Sequence, residues 1–314
     1  MDTINAFATT LPVLLLVILG FVLRRFSFFN DKSIHDLKKL VVNIALPLVL
    51  LNAFGSMYFQ PQFLLIVVII FAGCVFVMQL TKQIGKRIKQ ISEFSPMIIA
   101  GFEAGMLGYA VYTSLYGLER VKEFAIIDLG QVLFVFFILV PALQRRQYGS
   151  TDLKQTTLSF LRTPVILAIF AGIFLNFSDF YPISQNFSIT AAMLDTSQIL
   201  GSLTMPLAAL VLGYELNIKP GYLKQPFVSA AIRMLIWIGF AVFLNLIIIR
   251  TWLGLNQTFE TAVWFMFVLP PPFVVPLYLQ KTSQENQNYV LNTITLSTIF
   301  SLIAMVILRL VLPG

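Results

Sequence analysis

The chain has 314 residues, of which 58% are hydrophobic and only 11% charged, and its mean hydropathy is +0.86. Soluble domains carry about 25% charged residues, so the composition excludes an ordinary soluble protein and indicates an integral membrane protein. The formal net charge of +7 does not indicate a nucleic-acid partner, because the basic residues fall in short loops between apolar segments.

Ten stretches approach the length of roughly 20 mostly apolar residues that a membrane-spanning helix needs. In chain order they are 5–23, 33–54, 62–81, 94–116, 121–143, 159–177, 190–213, 227–249, 258–280 and 287–311. The first is not a secretory signal, because Arg24 and Arg25 follow it rather than precede it. The sequence therefore predicts an all-α polytopic membrane protein with ten transmembrane helices.

Lysine and arginine residues predict the orientation, because they are enriched in cytoplasmic loops. All 21 of them except Arg120, Lys122, Arg250 and Arg309 fall in the loops after segments 1, 3, 5, 7 and 9 or at the adjoining helix ends. We therefore expect both termini on the extracytoplasmic side of a cell membrane.

The fourth segment contains A-G-F-E-A-G-M-L-G-Y-A-V-Y from Ala100 to Tyr112, with three glycines and the acid Glu103. An ionised carboxylate at the bilayer centre costs at least ~2.5 kcal/mol. Glu103, flanked by Gly105 and Gly108, is therefore a candidate proton carrier or a ligand for a cationic group. The alternative is that these glycines form a helix-packing face and that Glu103 bonds to a neighbour.

The ninth segment contains F-M-F-V-L-P-P-P-F-V-V-P-L from Phe265 to Leu277. A proline lacks the amide donor and clashes with the carbonyl four residues earlier, so a continuous helix cannot pass through this run. Pro271, Pro272 and the following Phe273 are therefore candidate binding residues. Two interrupted helices at corresponding positions in two halves are the best sequence pointer to a transporter's binding site.

The halves of the chain repeat each other. Pro47 in the second segment has its counterpart in Pro206 of the seventh, and the interrupted segments 4 and 9 correspond in the same way. The polar stretch 145–158 is predicted as a cytoplasmic connection between a first repeat at 1–144 and a second at 159–314. Because each half has five segments, the halves enter the membrane from opposite sides, which predicts an inverted repeat.

Other polar residues lie inside apolar segments. Asp128 and Gln131 are one helical turn apart and could contact the solute or fix helix packing. Asn52 and Asn43 could do either, with Asn52 predicted to be the better placed. Tyr109 could offer a hydroxyl group or lie at the membrane interface.

Three stretches carry a resemblance to a known family: L-V-V-N-I-A-L-P-L-V-L-L in segment 2, G-S-L-T-M-P-L-A-A-L-V-L-G in segment 7 and L-S-T-I-F-S-L-I-A-M-V-I-L in segment 10. In these stretches and in length the chain resembles the auxin efflux carrier family, which includes plant auxin transporters and bacterial malate and malonate permeases. The resemblance implies two inverted five-helix repeats, broken helices 4 and 9 that cross beside the substrate, elevator-like or rocking motion, and a homodimer.

The chain departs from the family pattern in segment 4. Glu103 stands where the family usually has asparagine, and Ala110 stands where it has proline. In segment 9 the residues after Pro272 are apolar. The resemblance therefore does not carry a particular substrate with it.

No motif indicates an enzyme, because G-x-S-x-G, H-E-x-x-H and a second histidine are all missing. No nucleotide-binding loop that could power primary transport occurs either. His35 lacks a nearby second ligand and Cys74 lacks a disulfide partner, so neither a metal site nor a disulfide is expected. No cofactor is expected beyond a proton or a sodium ion that couples transport.

A secondary transporter is the best hypothesis, with a small-molecule solute and the lipid bilayer as partners. One hypothesis is that it moves an organic anion together with a proton bound on Glu103 and Asp128. Another is that it moves a neutral, zwitterionic or cationic solute paired with ionised Glu103. A channel or a solute sensor built on the same frame is a third possibility. No arginine is expected near either break, and Glu215 is a candidate partner of Arg233. The predicted substrate-binding residues are Glu103, Gly105, Gly108, Tyr109, Asn52, Asp128, Gln131, Pro271, Pro272 and Phe273.

Overall fold

A computed structural model describes residues 2–87, 92–178, 188–216, 223–279 and 282–312. Every regular element within these ranges is helical. Lys89, Lys219 and Lys281, three of the basic residues assigned above to cytoplasmic loops, lie outside the described residues.

Each of the ten predicted segments contains helical residues, with bounds that differ most in the sixth and ninth, and we number the helices accordingly. The fourth and sixth each consist of two parts, and the helices are α1 (Asp2–Arg25), α2 (Asp31–Gly55), α3 (Pro61–Arg87), α4a (Ser95–Ile99), α4b (104–116), α5 (Leu118–Tyr148), α6a (Leu153–Arg162), α6b (Pro164–Phe177), α7 (Ser188–Glu215), α8 (Lys224–Trp252), α9 (Gln257–Phe267) and α10 (Gln284–Val311).

Within the described residues, seven helical stretches are long and apolar enough to cross a membrane: α2, α3, the α4a–α4b pair, α5, α7, α8 and α10. The pair α6a and α6b, bent by 60° at Thr163, raises the count to eight if it forms one span. The bend follows from Pro164, because a proline disfavours helical geometry at the residue before it. The structure thus establishes an all-helical, multi-pass architecture, while the ten-span inverted repeat stays a prediction.

The predicted connection at 145–158 is mostly helical. α5 continues to Tyr148 and ends at Gly149, whose φ of 78° is left-handed. α6a then begins after Asp152, which accepts a hydrogen bond from the amide of Gln155 at 2.9 Å. Positive φ favours glycine, and an aspartate at the N-cap satisfies a free amide. Residues 149–152 are therefore the only non-helical link at this point of the chain.

Small residues allow the helices to approach closely. A side chain at Gly213 of α7 would collide with the backbone at Val17 of α1, and one at Gly20 would collide with the backbone at Leu210. Close contact through glycine is the usual way in which membrane helices pack, since lipid provides no hydrophobic driving force between them. α1 is consequently held against the second half of α7.

Candidate functional site

The fourth segment is broken as predicted. α4a ends at Ile99, residues 101–103 are not helical, and α4b begins with a π-helical turn at Ala104–Gly108. Glu103 has φ −92° and ψ 77°, outside the helical region. Because residues 101–103 do not continue the helical ladder, their backbone groups need other partners.

The ninth segment is also broken as predicted. α9 ends at Phe267, and regular structure resumes only with the short 3₁₀ turn Val275–Tyr278. Between them lie Pro270, Pro271 and Pro272, none of which has an amide hydrogen to donate. The proline run therefore leaves several carbonyl groups without their helical partners.

The two breaks contact each other directly. The amide of Glu103 donates to the carbonyl of Pro270 at 2.9 Å, and the amide of Phe273 donates to Oε2 of Glu103 at 2.7 Å. A side chain at Gly101 would place its Cβ 2.6 Å from Cγ of Pro272. Such an approach is possible only without a Cβ, so this glycine permits the two backbones to meet.

The Glu103 carboxylate bridges the two breaks. Its Oε1 accepts the amide of Met106 at 3.1 Å and thereby caps α4b, while its Oε2 accepts the amide of Phe273. Amides at the start of a helix favour a negative charge. The Glu103 carboxylate therefore joins the start of α4b to the break after α9.

A cavity of about 920 Å³ opens beside this carboxylate. Its walls come from α2, α4b, α5, α6a, α6b and the α9 break, and its rim includes His35, Lys38 and Lys39. The interior is largely apolar. Besides Glu103, Asn43 and Gln131, its lining includes the polar residues Gln144, Asp152, Gln155 and Thr156. A mainly apolar cavity with polar groups at intervals is typical of a small-molecule site.

Asp128 lies behind the cavity in a buried cluster. Its Oδ2 accepts the hydroxyl of Tyr109 at 2.9 Å, and its Oδ1 accepts Nε2 of Gln131 at 3.0 Å. Oε1 of Gln131 is buried without a hydrogen-bond partner among the described residues, and other atoms of Gln131 line the cavity. The cluster joins α4b to α5 through side-chain hydrogen bonds.

The predicted site residues therefore fall into three groups. Those that line the cavity are Glu103, Gly105, Gln131, Pro272 and Phe273. Those that support it from behind are Tyr109, Asp128 and Pro271, together with Gly108, which packs against Phe124 and Leu269.

The third group is Asn52 alone. It lines a separate cavity of about 400 Å³ and donates to Oγ of Ser197 on α7 at 2.9 Å. Asn43, the alternative on the same helix, lines the cavity of Glu103 instead. The expectation that Asn52 is the better placed of the two does not match this arrangement.

The sequence reasoning missed Arg233, and the expectation that no arginine stands near either break is wrong. Arg233 is only 3% exposed, and its guanidinium donates to the carbonyls of Ile98, Ile99 and Leu269. Its expected partner Glu215 pairs with Lys38 instead. One signal was available: Arg233 lies more than two helical turns inside α8, too deep for a loop residue.

The described residues contain no cluster of histidine, cysteine, aspartate or glutamate that could hold a metal ion. The charged groups that converge at the crossing are Glu103 and Arg233. Glu103 presents acceptors to backbone amides of both breaks, and Arg233 presents donors to their carbonyls.

Comparison with known proteins agrees with the architecture. Residues 5–157 match a family described as membrane transport protein. Over 216 residues the chain is 26% identical to an uncharacterised transporter from Methanocaldococcus jannaschii. The aligned region covers 67% of this chain and 68% of that protein.

Proposed function

We propose a function from one premise: the chain is a membrane transporter of the auxin efflux carrier family. We infer that it is a secondary active transporter that moves a small organic anion, such as a carboxylate, together with a proton. Transport proceeds by alternating access at the crossing of α4 and α9, within two inverted five-helix repeats and with a homodimer as the working unit.

The observation that carries this proposal is the Glu103 carboxylate bonded to the amides of Met106 and Phe273. A substrate carboxylate would fit the same two donors, because their geometry already suits one carboxylate. Two negative charges at one place repel each other, so Glu103 and the substrate compete while Glu103 is ionised.

This competition couples the proton to the solute. A protonated Glu103 has no charge with which to hold the two amides, and the substrate anion then takes its place. The net charge of the site is the same before and after the joint binding of one proton and one monovalent anion.

A second candidate is transport of a cationic or zwitterionic solute. It is favoured by one observation: Glu103 lines the cavity, yet none of the ion pairs formed among the described residues involves it. In this case ionised Glu103 would bind an ammonium group directly. The two candidates predict opposite effects of pH on binding.

Thermal unfolding of the purified chain distinguishes them. Monocarboxylates, dicarboxylates, amino acids and amines would be added at two pH values, because a ligand stabilises the folded state by RT ln(1 + [L]/Kd). We expect carboxylates to raise the melting temperature, and to do so more at the lower pH. Stabilisation by amines that grows at the higher pH would instead support the cationic solute.

The variant Glu103→Gln tests the role of the carboxylate. Carboxylate binding should lose its pH dependence and proton-driven uptake should stop, while the protein stays folded. Glu285→Gln, at the exposed start of α10, is the matched control and should behave as the wild type. An unchanged pH response in Glu103→Gln would remove Glu103 from the coupling role.

Counterflow in proteoliposomes separates a carrier from a channel or sensor, because only a carrier accelerates labelled uptake when unlabelled solute is inside.

A further inference from the structure

Three carbonyl groups at the crossing have lost their helical partners. In a continuous helix the carbonyls of Ile98, Ile99 and Leu269 would accept the amides of the residues four positions later. The amide of Glu103, four residues after Ile99, donates to Pro270 instead. The amide of Phe273, four residues after Leu269, donates to the Glu103 carboxylate. Each diverted amide leaves an oxygen that would be costly to bury alone.

Arg233 of α8 satisfies all three oxygens. Its Nη1 donates to the carbonyl of Ile98 at 3.2 Å and to that of Ile99, and its Nη2 donates to that of Leu269 at 2.9 Å. The planar guanidinium suits this task, because its donors form a fixed fork. It also lies 4.8 Å from the centroid of the Phe102 ring, where a cation–π interaction is favourable.

Trp237 extends this contact by one helical turn. It lies four residues after Arg233 on the same face of α8, and its Nε1 donates to the carbonyl of Ile99 at 2.7 Å. None of the ion pairs formed by the described residues includes Arg233. The buried positive charge is therefore stabilised by the carbonyl dipoles of two broken helices rather than by a carboxylate.

Carbonyl oxygens freed where membrane helices unwind are the ligands with which many transporters bind a coupling sodium ion. Here those oxygens already accept hydrogen bonds from a side chain of the protein. We propose that the Arg233 guanidinium is a built-in cation that takes the place of a metal ion at the crossing, and that it holds the ends of α4a and α9 together as a positioning residue. The fixed cation makes transport independent of sodium.

The inference goes beyond the proposed function and can be tested without knowing the solute. The melting temperature of the purified full chain would be measured in NaCl and in choline chloride at equal ionic strength. A bound sodium ion would stabilise the folded state in proportion to the logarithm of its concentration, so we expect no difference between the two salts. A sodium-specific rise in the wild-type melting temperature would overturn the proposal.

The variant Arg233→Ala tests the cation itself. It removes the guanidinium and leaves the carbonyls of Ile98 and Leu269 unpaired, while that of Ile99 keeps its Trp237 donor. We expect a lower melting temperature that guanidinium ion restores at concentrations well below those that unfold proteins. The control is Arg250→Ala, which breaks an exposed ion pair with Glu260 at the end of α8 and should show no such rescue. Failure of guanidinium to stabilise Arg233→Ala beyond this control would contradict the proposal.

Arg233→Lys keeps the test decisive if the alanine variant does not fold. Lysine retains the positive charge but loses the planar fork, so it should fold, melt at a lower temperature than the wild type and remain insensitive to sodium. Sodium-dependent stabilisation of Arg233→Lys would show that a metal ion competes for these carbonyls and would overturn the proposal. A failure of solute binding leaves these results unaffected, so the two proposals can fail separately.

Discussion

At the scale of single residues, the acid and the base buried at the crossing have complementary partners. Glu103 accepts backbone amides, whereas Arg233 donates to backbone carbonyls, and two of those carbonyls lost their amides through the contacts of Glu103. Each charge thus meets the part of the backbone with the opposite partial charge. This explains how the two charges are tolerated at membrane depth, where an isolated charge would be costly.

The cluster behind the cavity leads to a prediction about two neighbouring tyrosines. Tyr109→Phe removes the hydroxyl that Asp128 accepts and leaves a buried carboxylate oxygen without this donor, so we expect a loss of about 1–3 kcal/mol of stability. Tyr112, one turn further along α4b, is equally buried, but its hydroxyl has no hydrogen-bond partner within the described part of the chain. Tyr112→Phe should therefore be neutral or slightly stabilising.

The melting temperatures of the two purified variants provide the measurement. They form a matched pair, because each loses one hydroxyl from a buried aromatic residue of the same helix. Equal melting temperatures would show that the hydroxyl of Tyr109 contributes nothing through Asp128.

At the scale of helices, the breaks could be predicted because their causes are local. A proline run cannot form a continuous helix, and three glycines with an acid in an apolar segment are a visible exception. Asn43 and Asn52 are about two and a half helical turns apart on α2, so they lie on opposite faces and at different heights of the helix. They consequently line different cavities.

Arg233 could not be assigned for a different reason. Its position inside α8 is visible in the sequence, but its partners are carbonyls from two other segments that arrive only when the chain folds. Carbonyl groups carry no sequence signal of their own. Counting basic residues for orientation therefore placed it with the cytoplasmic side.

The break in α9 gives a prediction at this scale. In the double variant Pro271→Ala, Pro272→Ala the new amides can bond to the carbonyls of Phe267 and Val268, since proline costs about 3 kcal/mol inside a helix. Pro270 still bends the chain, but the new helical hydrogen bonds should draw the amide of Phe273 towards the carbonyl of Leu269 and away from Glu103. Hydrogen exchange should slow between residues 267 and 273, and the pH-dependent response to carboxylates should disappear.

The control for this variant is Pro61→Ala at the first position of α3, where proline is well tolerated. It should leave both the hydrogen exchange at the break and the response to solutes unchanged. A double variant that exchanges and binds like the wild type would show that the contacts of Glu103 and Arg233 hold the break open without the prolines.

At the scale of the whole molecule, two cavities lie at opposite ends of α2. The larger one contacts the first half of α2 at Lys38, Lys39 and Asn43, and the smaller one contacts its last turns at Asn52 and Ser56. The intervening side chains of α2 are mostly buried, and the two cavities are separate.

The distribution of basic residues assigns the larger cavity to the cytoplasmic side, and cysteine labelling tests this assignment. Asn43 and Ser56 are both exposed, whereas the native Cys74 is buried, so the wild type provides an unreactive background. A membrane-impermeant maleimide added to intact cells should label Ser56→Cys and not Asn43→Cys. Inverted vesicles should give the opposite result.

The same pair of variants reports on the transport cycle. If α4 and α9 move relative to α2 during transport, a transported carboxylate should change the labelling rate of Asn43→Cys, because its cavity closes when the other side opens. Ser56→Cys should change in the opposite direction. If Asn43→Cys is labelled from outside intact cells, the predicted orientation is reversed. If transported solutes leave both labelling rates unchanged, the result argues for a static pore, because alternating access requires the two cavities to respond in opposite senses.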